Sequence, residues 1–150
     1  MDLPRSRRRF PSTGSSISYL VDSDWLIDTL RGVPNAIQVL DERSVYGLSF
    51  SLITLGEVYE GIYDQSDSEA RMTDLRTLLK GHTILRLSDP IVEVFARTRS
   101  TLRRNGQLIP DMDLLIASTA IVHDLTLMTR NQRHFSHITD LKLYSAEDDA

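Results

Sequence analysis

Short runs of β-branched and aromatic residues alternate along this chain with longer stretches of helical spacing, and that alternation limits the fold more than any other feature. The strand-like runs are Ile17 to Val21, Leu48 to Ile53, Thr83 to Leu87, Leu125 to Met128 and Leu141 to Tyr144. Helical patterns fill the intervals. Ser23 or Asp24 can cap a helix over Trp25, Leu26, Ile27 and Leu30, which Gly32 and Pro34 end. A second covers Asn35 to Arg43, with Ile37, Leu40 and Val39 inward, and Thr54 can cap a third through Tyr63. Ser68 to Leu79 follows, and Asp89-Pro90 starts a helix that stops at Asn105-Gly106. Pro110 to Asp124 is the most apolar helix and is expected at the centre. Strands joined through helices must run parallel, and parallel sheets are buried on both faces. The expected fold class is therefore α/β, in three layers: a mostly parallel central sheet of about 4–5 strands with helices on both faces.

Four polar residues stand near the seams where an apolar run gives way to a helix: Asp22, Glu57, Asp113 and Asn131. Open α/β sheets bind ligands at the carboxyl ends of their strands. Singly, each residue also has a purely structural reading. Asp22 serves as a helix N-cap, Glu57 as a solvated first-turn acid, Asp111 and Asp113 as a cap and a dipole-compensating acid, and Asn131 as a turn residue. As a set they point elsewhere, because carboxylates converging in one cleft repel unless a cation neutralises them. Oxygen ligands favour a hard ion such as Mg²⁺ or Mn²⁺, and such ions on acidic pockets serve phosphodiester cleavage.

Charge distribution narrows the classes further. The net charge is −4, but residues 1–16 carry four arginines (Arg5, Arg7, Arg8, Arg9) against Asp2. The remainder, with 13 basic and 20 acidic groups, stands at −7. That argues against broad non-specific nucleic-acid binding and for basic residues confined to patches. The Arg-, Ser- and Pro-rich segment 1–16 reads as a disordered tail, with no apolar stretch behind its basic front as a secretory signal would have. Residues 17–150 read as one domain. At 150 residues and 41% hydrophobic content the chain can bury a full core. There is no cysteine, which excludes disulfides and thiolate zinc sites and suits a reducing cytoplasm. No apolar run reaches the ~20 residues of a membrane span.

At these motifs the chain resembles the PIN-domain ribonucleases, and among them the VapC-type toxins of toxin–antitoxin pairs. The resemblance runs from Ser18 to Tyr144. Tyr19 to Asp28 resembles the opening strand, acid and helix. Ile53 to Gly61 resembles the second motif, with Glu57 and a glycine four residues on. Asp113 entering its apolar helix is the closest match. Leu127 to Phe135 resembles the closing motif, where many members put Asp at the place of Asn131. The resemblance implies that Asp22, Glu57 and Asp113 hold Mg²⁺ (or Mn²⁺) or its water, and that Asn131 takes the fourth position as a neutral oxygen ligand or through water. It also implies roles for Ser23 and Asp111 beside these ligands, with Asp111 equally readable as a plain N-cap, and for Thr129 in orienting the closing loop.

Function and partners follow as expectations. The resemblance implies an RNA substrate, an antitoxin lying over the active-site groove, a homodimer, and a cytoplasmic protein with no membrane role. Arg97, Arg99, Arg103 and Arg104 crowd the helix before the Asp113 loop, and Arg130 and Arg133 flank Asn131. They can guide an RNA backbone, face an antitoxin's acidic segment, or form a solvated helix face. None of His82, His123, His134 and His137 has metalloprotease spacing, and His134 reads as part of the closing loop. Ile37, Leu40, Val58, Tyr59 and Ile62 are candidates for apolar surface. Two rivals remain. One is a PIN-like binding module that cleaves poorly because of Asn131. The other is a haloacid-dehalogenase-like phosphatase using Asp22-x-Asp24, whose phosphate clamp Lys80 and Lys142 are poorly placed to supply.

Overall fold

The computed structural model describes residues 17–145; the basic segment 1–16 and its expected disorder lie outside the described residues. A five-stranded sheet, β1 Tyr19–Val21, β2 Leu48–Ser51, β3 Thr83–Leu85, β4 Thr126–Met128 and β5 Lys142–Leu143, has the order β3-β2-β1-β4-β5. Every pairing is parallel. Seven α-helices connect the strands: α1 Ser23–Leu30, α2 Pro34–Arg43, α3 Leu52–Tyr63, α4 Ser68–Leu79, α5 Asp89–Arg104, α6 Asp111–Val122 and the single turn α7 Gln132–Phe135.

Successive strand residues point to opposite faces, and the two cores divide accordingly. Val21, Phe50 and Met128 join the first four helices on one face. Leu20, Leu127 and Leu85 join Leu102 of α5, Leu114, Ile116 and Ala117 of α6, and Phe135 on the other. α6 is buried around most of its circumference, as its sequence requires. Its buried hydroxyls, Ser118 and Thr119, donate back to the carbonyls of Leu114 and Leu115 at 2.7 and 2.8 Å. α5 ends where Gly106 takes φ +67°, a left-handed backbone that suits glycine.

Several boundaries and caps differ from expectation. Of the caps offered for α1, Asp22 takes the position in place of Ser23 or Asp24, its carboxylate accepting the Ser23 N–H at 2.8 Å. Ser51, not Thr54, caps α3, accepting from the Ile53 N–H at 3.0 Å. β2 therefore stops at Ser51, and Ile53 is already helical. Ser88 rather than Asp89 precedes α5, and Leu87 lies beyond β3. In α2, Ala36 takes the inward place expected of Ile37, which is exposed. Among the apolar-surface candidates, Leu40, Val58 and Ile62 are core residues, while Ile37 and Tyr59 are exposed.

β1 sits in the middle of the sheet, with β2 and β3 on one side and β4 and β5 on the other. The crevice beyond the carboxyl ends of β1 and β4 is the topological switch point, where ligand sites in such sheets arise.

Candidate active site

Asp22 follows β1 directly, and its backbone N–H bonds to Met128 O at 2.9 Å, so the acid is fixed to the end of β4 as well. It is buried to 5% exposure. Burial first, then the charge of Asp24 and that of Asp113, pushes its carboxyl up to about 7, against the Ser23 N–H and Thr129 hydroxyl that favour the charged form. Glu57 lies in the second turn of α3, further into the helix than a seam position. Burial, with Asp113, Asp24 and Glu60 nearby, raises its carboxyl, and a hydrogen bond from Ser23 opposes the rise. Glu57 Oε1 is buried with no hydrogen-bond partner. Asp113, in the first turn of α6, is 17% exposed. The fold thus brings Asp22, Glu57 and Asp113 into one electrostatic neighbourhood from three separate elements.

Two participants lay outside the expected ligand set, although the sequence had named Asp24 as a cap or phosphatase acid and His134 as part of the closing loop. Asp24 lies beside Asp22, and its own carboxyl is raised by burial. Asp24 Oδ2 accepts the Arg130 backbone N–H at 2.8 Å and the Thr129 hydroxyl at 3.3 Å, and Oδ1 accepts the Trp25 N–H at 2.7 Å. The Asp-x-Asp spacing was its signal. His134 is the other: its Nδ1 lies 2.5 Å from Asp113 Oδ2 and 2.8 Å from Asn131 Nδ2. Its place in the closing motif, three residues after Asn131, was the trace in the sequence.

The remaining expected residues divide. Thr129 is buried and its hydroxyl accepts the Asn131 N–H at 3.1 Å, within the closing loop. Ser23 is engaged with Glu57. Asp111 is half-exposed and pairs with Arg99 Nε at 2.9 Å, tying α6 to α5. Arg130 spans the closing loop and α1: its guanidinium lies 3.9 Å over the Trp25 ring and 3.2 Å from Asp28. These contacts tie the closing loop to α1 while the side chain stays exposed. Arg97 faces Glu93 at 4.0 Å, and Arg104 bonds the Ser100 and Thr101 hydroxyls on its own helix. Arg103 and Arg133 are exposed.

Whether these acids suit a divalent ion is a question of donor chemistry and position. Among the described residues, no three His, Cys, Asp or Glu side chains form a group that could hold a metal as they stand. The donor chemistry does fit: burial and the neighbouring acids Asp24 and Asp113 raise the Asp22 carboxyl, and Glu57 offers a buried, unpartnered oxygen. Oxygen donors of this kind suit a hard cation. The phosphatase alternative fits poorly. Both Asp24 oxygens are occupied by backbone donors, Lys142 pairs with Asp124 at 3.0 Å, and Lys80 lines a groove with Ile17, Leu48 and Thr83 at the opposite end of the strands.

Fold and acid cluster together define a class, and comparison with known proteins agrees with it: the PIN domain profile matches residues 19–141, and the chain belongs to that family. Within the family it belongs with the VapC proteins. It is 31% identical to Ribonuclease VapC1 of Methanocaldococcus jannaschii over 127 residues, 83% of this chain and 85% of the relative. It is 30% identical to Ribonuclease VapC19 of Mycobacterium tuberculosis, over 82% of this chain and 96% of that one. Among solved structures, the fold is similar to VapBC2 from Rickettsia felis bound to a DNA fragment from their promoter. That match has a TM-score of 0.79 at 25% identity, covering 85% of this chain and 98% of that one. No helix among the described residues is long and apolar enough to cross a membrane.

Proposed function

We propose that this chain is a divalent-metal-dependent endoribonuclease, the toxin of a VapBC-type pair. The observation that carries the reading is the meeting of buried Asp22 with half-buried Glu57 and Asp113 at the switch point, with the Asp22 carboxyl pushed up to about 7. An enzyme gains nothing from uncompensated buried acids unless a cation completes them. Asp22, Asp113 and Glu57 would hold Mg²⁺ or Mn²⁺. Bound there, the ion supplies positive charge to the scissile phosphate and lowers the pKa of water for attack. The chain's own residues do the rest. Ser23 orients Glu57, the Asp24–Thr129–Arg130 bonds fix the closing loop, and Asn131 and His134 border Asp113. The exposed Arg97, Arg103 and Arg104 on α5 are suited to the RNA backbone.

The partners follow from the same reading. An antitoxin segment would lie over the active-site groove, and the apolar groove that Ile27, Leu30, Val58 and Ile62 line between α1 and α3 would seat its apolar residues. A basic side chain reaching the acids would replace the cation's charge, so inhibition should weaken as Mg²⁺ rises. A homodimer and a cytoplasmic location belong to this proposal as well. The test is cleavage of a total RNA preparation with Mg²⁺, with excess EDTA, and by Asp113→Asn. Metal-dependent shortening of RNA that the variant has lost is the expected result. Equal cleavage in EDTA, or full activity in the variant, would refute the assignment.

A further inference from the structure

His134 stands outside the acid set named above, yet it makes the shortest side-chain contact in the site. Hydrogen placement decides what that contact can be. A ring nitrogen carries either one hydrogen or one lone pair. An ionised carboxylate can only accept, so with Asp113 ionised the Nδ1 that lies 2.5 Å from its Oδ2 carries the hydrogen. The same Nδ1 lies 2.8 Å from the Asn131 amide. Two donors cannot face each other at that distance. The two ends of an amide have the same shape and are assigned from their hydrogen bonds, so Oδ1 belongs beside the ring and Nδ2 on the other side. Asn131 is held from behind, its backbone N–H bonded to the Thr129 hydroxyl.

We infer that His134 is a positioning residue that acts through its one Nδ1 hydrogen. It fixes the Asp113 carboxylate for the cation, and it turns the Asn131 amide so that Nδ2 serves as a hydrogen-bond donor to an RNA phosphate. Asn131 is then not the neutral oxygen ligand that family resemblance implied. The inference rests on the nuclease reading for its substrate, but its geometry stands without it.

Three measurements on the full chain test it. Side-chain ¹⁵N spectra of the metal-free protein should show His134 protonated at Nδ1, and Asp113→Ala should return the ring to the Nε2–H form. A bare Nδ1 in the wild type overturns the proposal. In Mn²⁺ titrations by calorimetry, His134→Ala should weaken binding about 10-fold, the usual scale for a residue behind a metal ligand. His134→Asn, whose amide nitrogen reaches the Nδ1 position, should recover most of the loss, whereas His134→Gln, reaching the Nε2 position, should not. Wild-type affinity in His134→Ala, or no rescue by Asn when all variants melt alike, overturns it. Asn131→Asp should raise KM for RNA without tightening Mn²⁺; tighter Mn²⁺ binding overturns the donor role. A wild type that cleaves no RNA with any divalent ion refutes the nuclease reading, while the spectra and titrations still judge His134.

Discussion

Asp24 Oδ2 accepts the backbone N–H of Arg130 at 2.8 Å, joining the first turn of α1 to the loop after β4 across 106 residues of chain. The Arg130 side chain closes the same joint from outside, over Trp25 and against Asp28. Asp24→Ala leaves the Arg130 N–H without its partner and should cost about 1–3 kcal/mol. It should also lower cleavage more than Arg130→Ala, which removes a half-exposed ion pair and a ring contact worth about 1 kcal/mol. Denaturant unfolding and initial rates on the two variants check the order. Equal effects would show that the side-chain clamp, not the carboxylate, holds the loop.

The buried acids fix the sign of a pH effect. Asp22 titrates at about 7 in the folded chain against an ordinary 3.8, so between those values the folded state binds the extra proton. Stability of the metal-free protein is therefore greatest below the lower value and falls as pH rises through the higher, by at most about 1.4 kcal/mol per pH unit from this group. Asp24 and Glu57 are raised too and push the same way. Melting in EDTA should show a lower Tm at pH 8 than at pH 5. Mg²⁺ should restore the difference, since it binds only the folded site.

Asp22→Asn removes the charge that causes this slope. The variant should be inactive, yet at pH 8 without metal it should melt at or above the wild-type temperature, with a flatter pH dependence. The amide still accepts the Ser23 N–H through Oδ1, so the α1 cap survives. A destabilised, equally pH-sensitive variant would locate the titrating group elsewhere.

Arg103 and Arg104 end α5 just before the loop that leads to Asp113. If they meet the RNA backbone, Arg103→Ala with Arg104→Ala should raise KM and reduce the salt dependence of binding by about one unit per lost phosphate contact, leaving Mn²⁺ affinity unchanged. Salt titrations of RNA binding read this directly. An unchanged slope would return these side chains to the solvated helix face.

Sedimentation of the isolated chain should show a dimer at tens of micromolar, the range in which an association near −6 kcal/mol is visible. A monomer there would end the homodimer proposal and leave the nuclease reading intact, since every acid in the site comes from one chain.

The strands, the parallel sheet and the whole of α4 were readable because each depends on local composition and periodicity. Caps were less so. Ser, Thr and Asp crowd both strand-to-helix joins, and the choice of Asp22 over Ser23, and of Ser51 over Thr54, turns on which residue keeps extended backbone angles. Ile37 and Ala36 exchanged places for a similar reason, a rotation of α2 set by its packing against α1. In the site, Asp22, Glu57 and Asp113 were legible as acids near seams. The Asp113–His134 contact was not, because its members lie 21 residues apart and α7 is a single turn too short to show a pattern.

The central place of β1 has a consequence for the chain as it is made. Its neighbour β4 is the fourth strand in sequence but completes the crevice beside Asp22, the first residue of the site, so Asp22 and Glu57 emerge from the ribosome long before Asp113, Asn131 and His134. No amino-terminal fragment that stops short of β4 holds a complete set. Whatever the site does to RNA, the nascent polypeptide cannot do it to the ribosome or the message producing it until translation has passed His134.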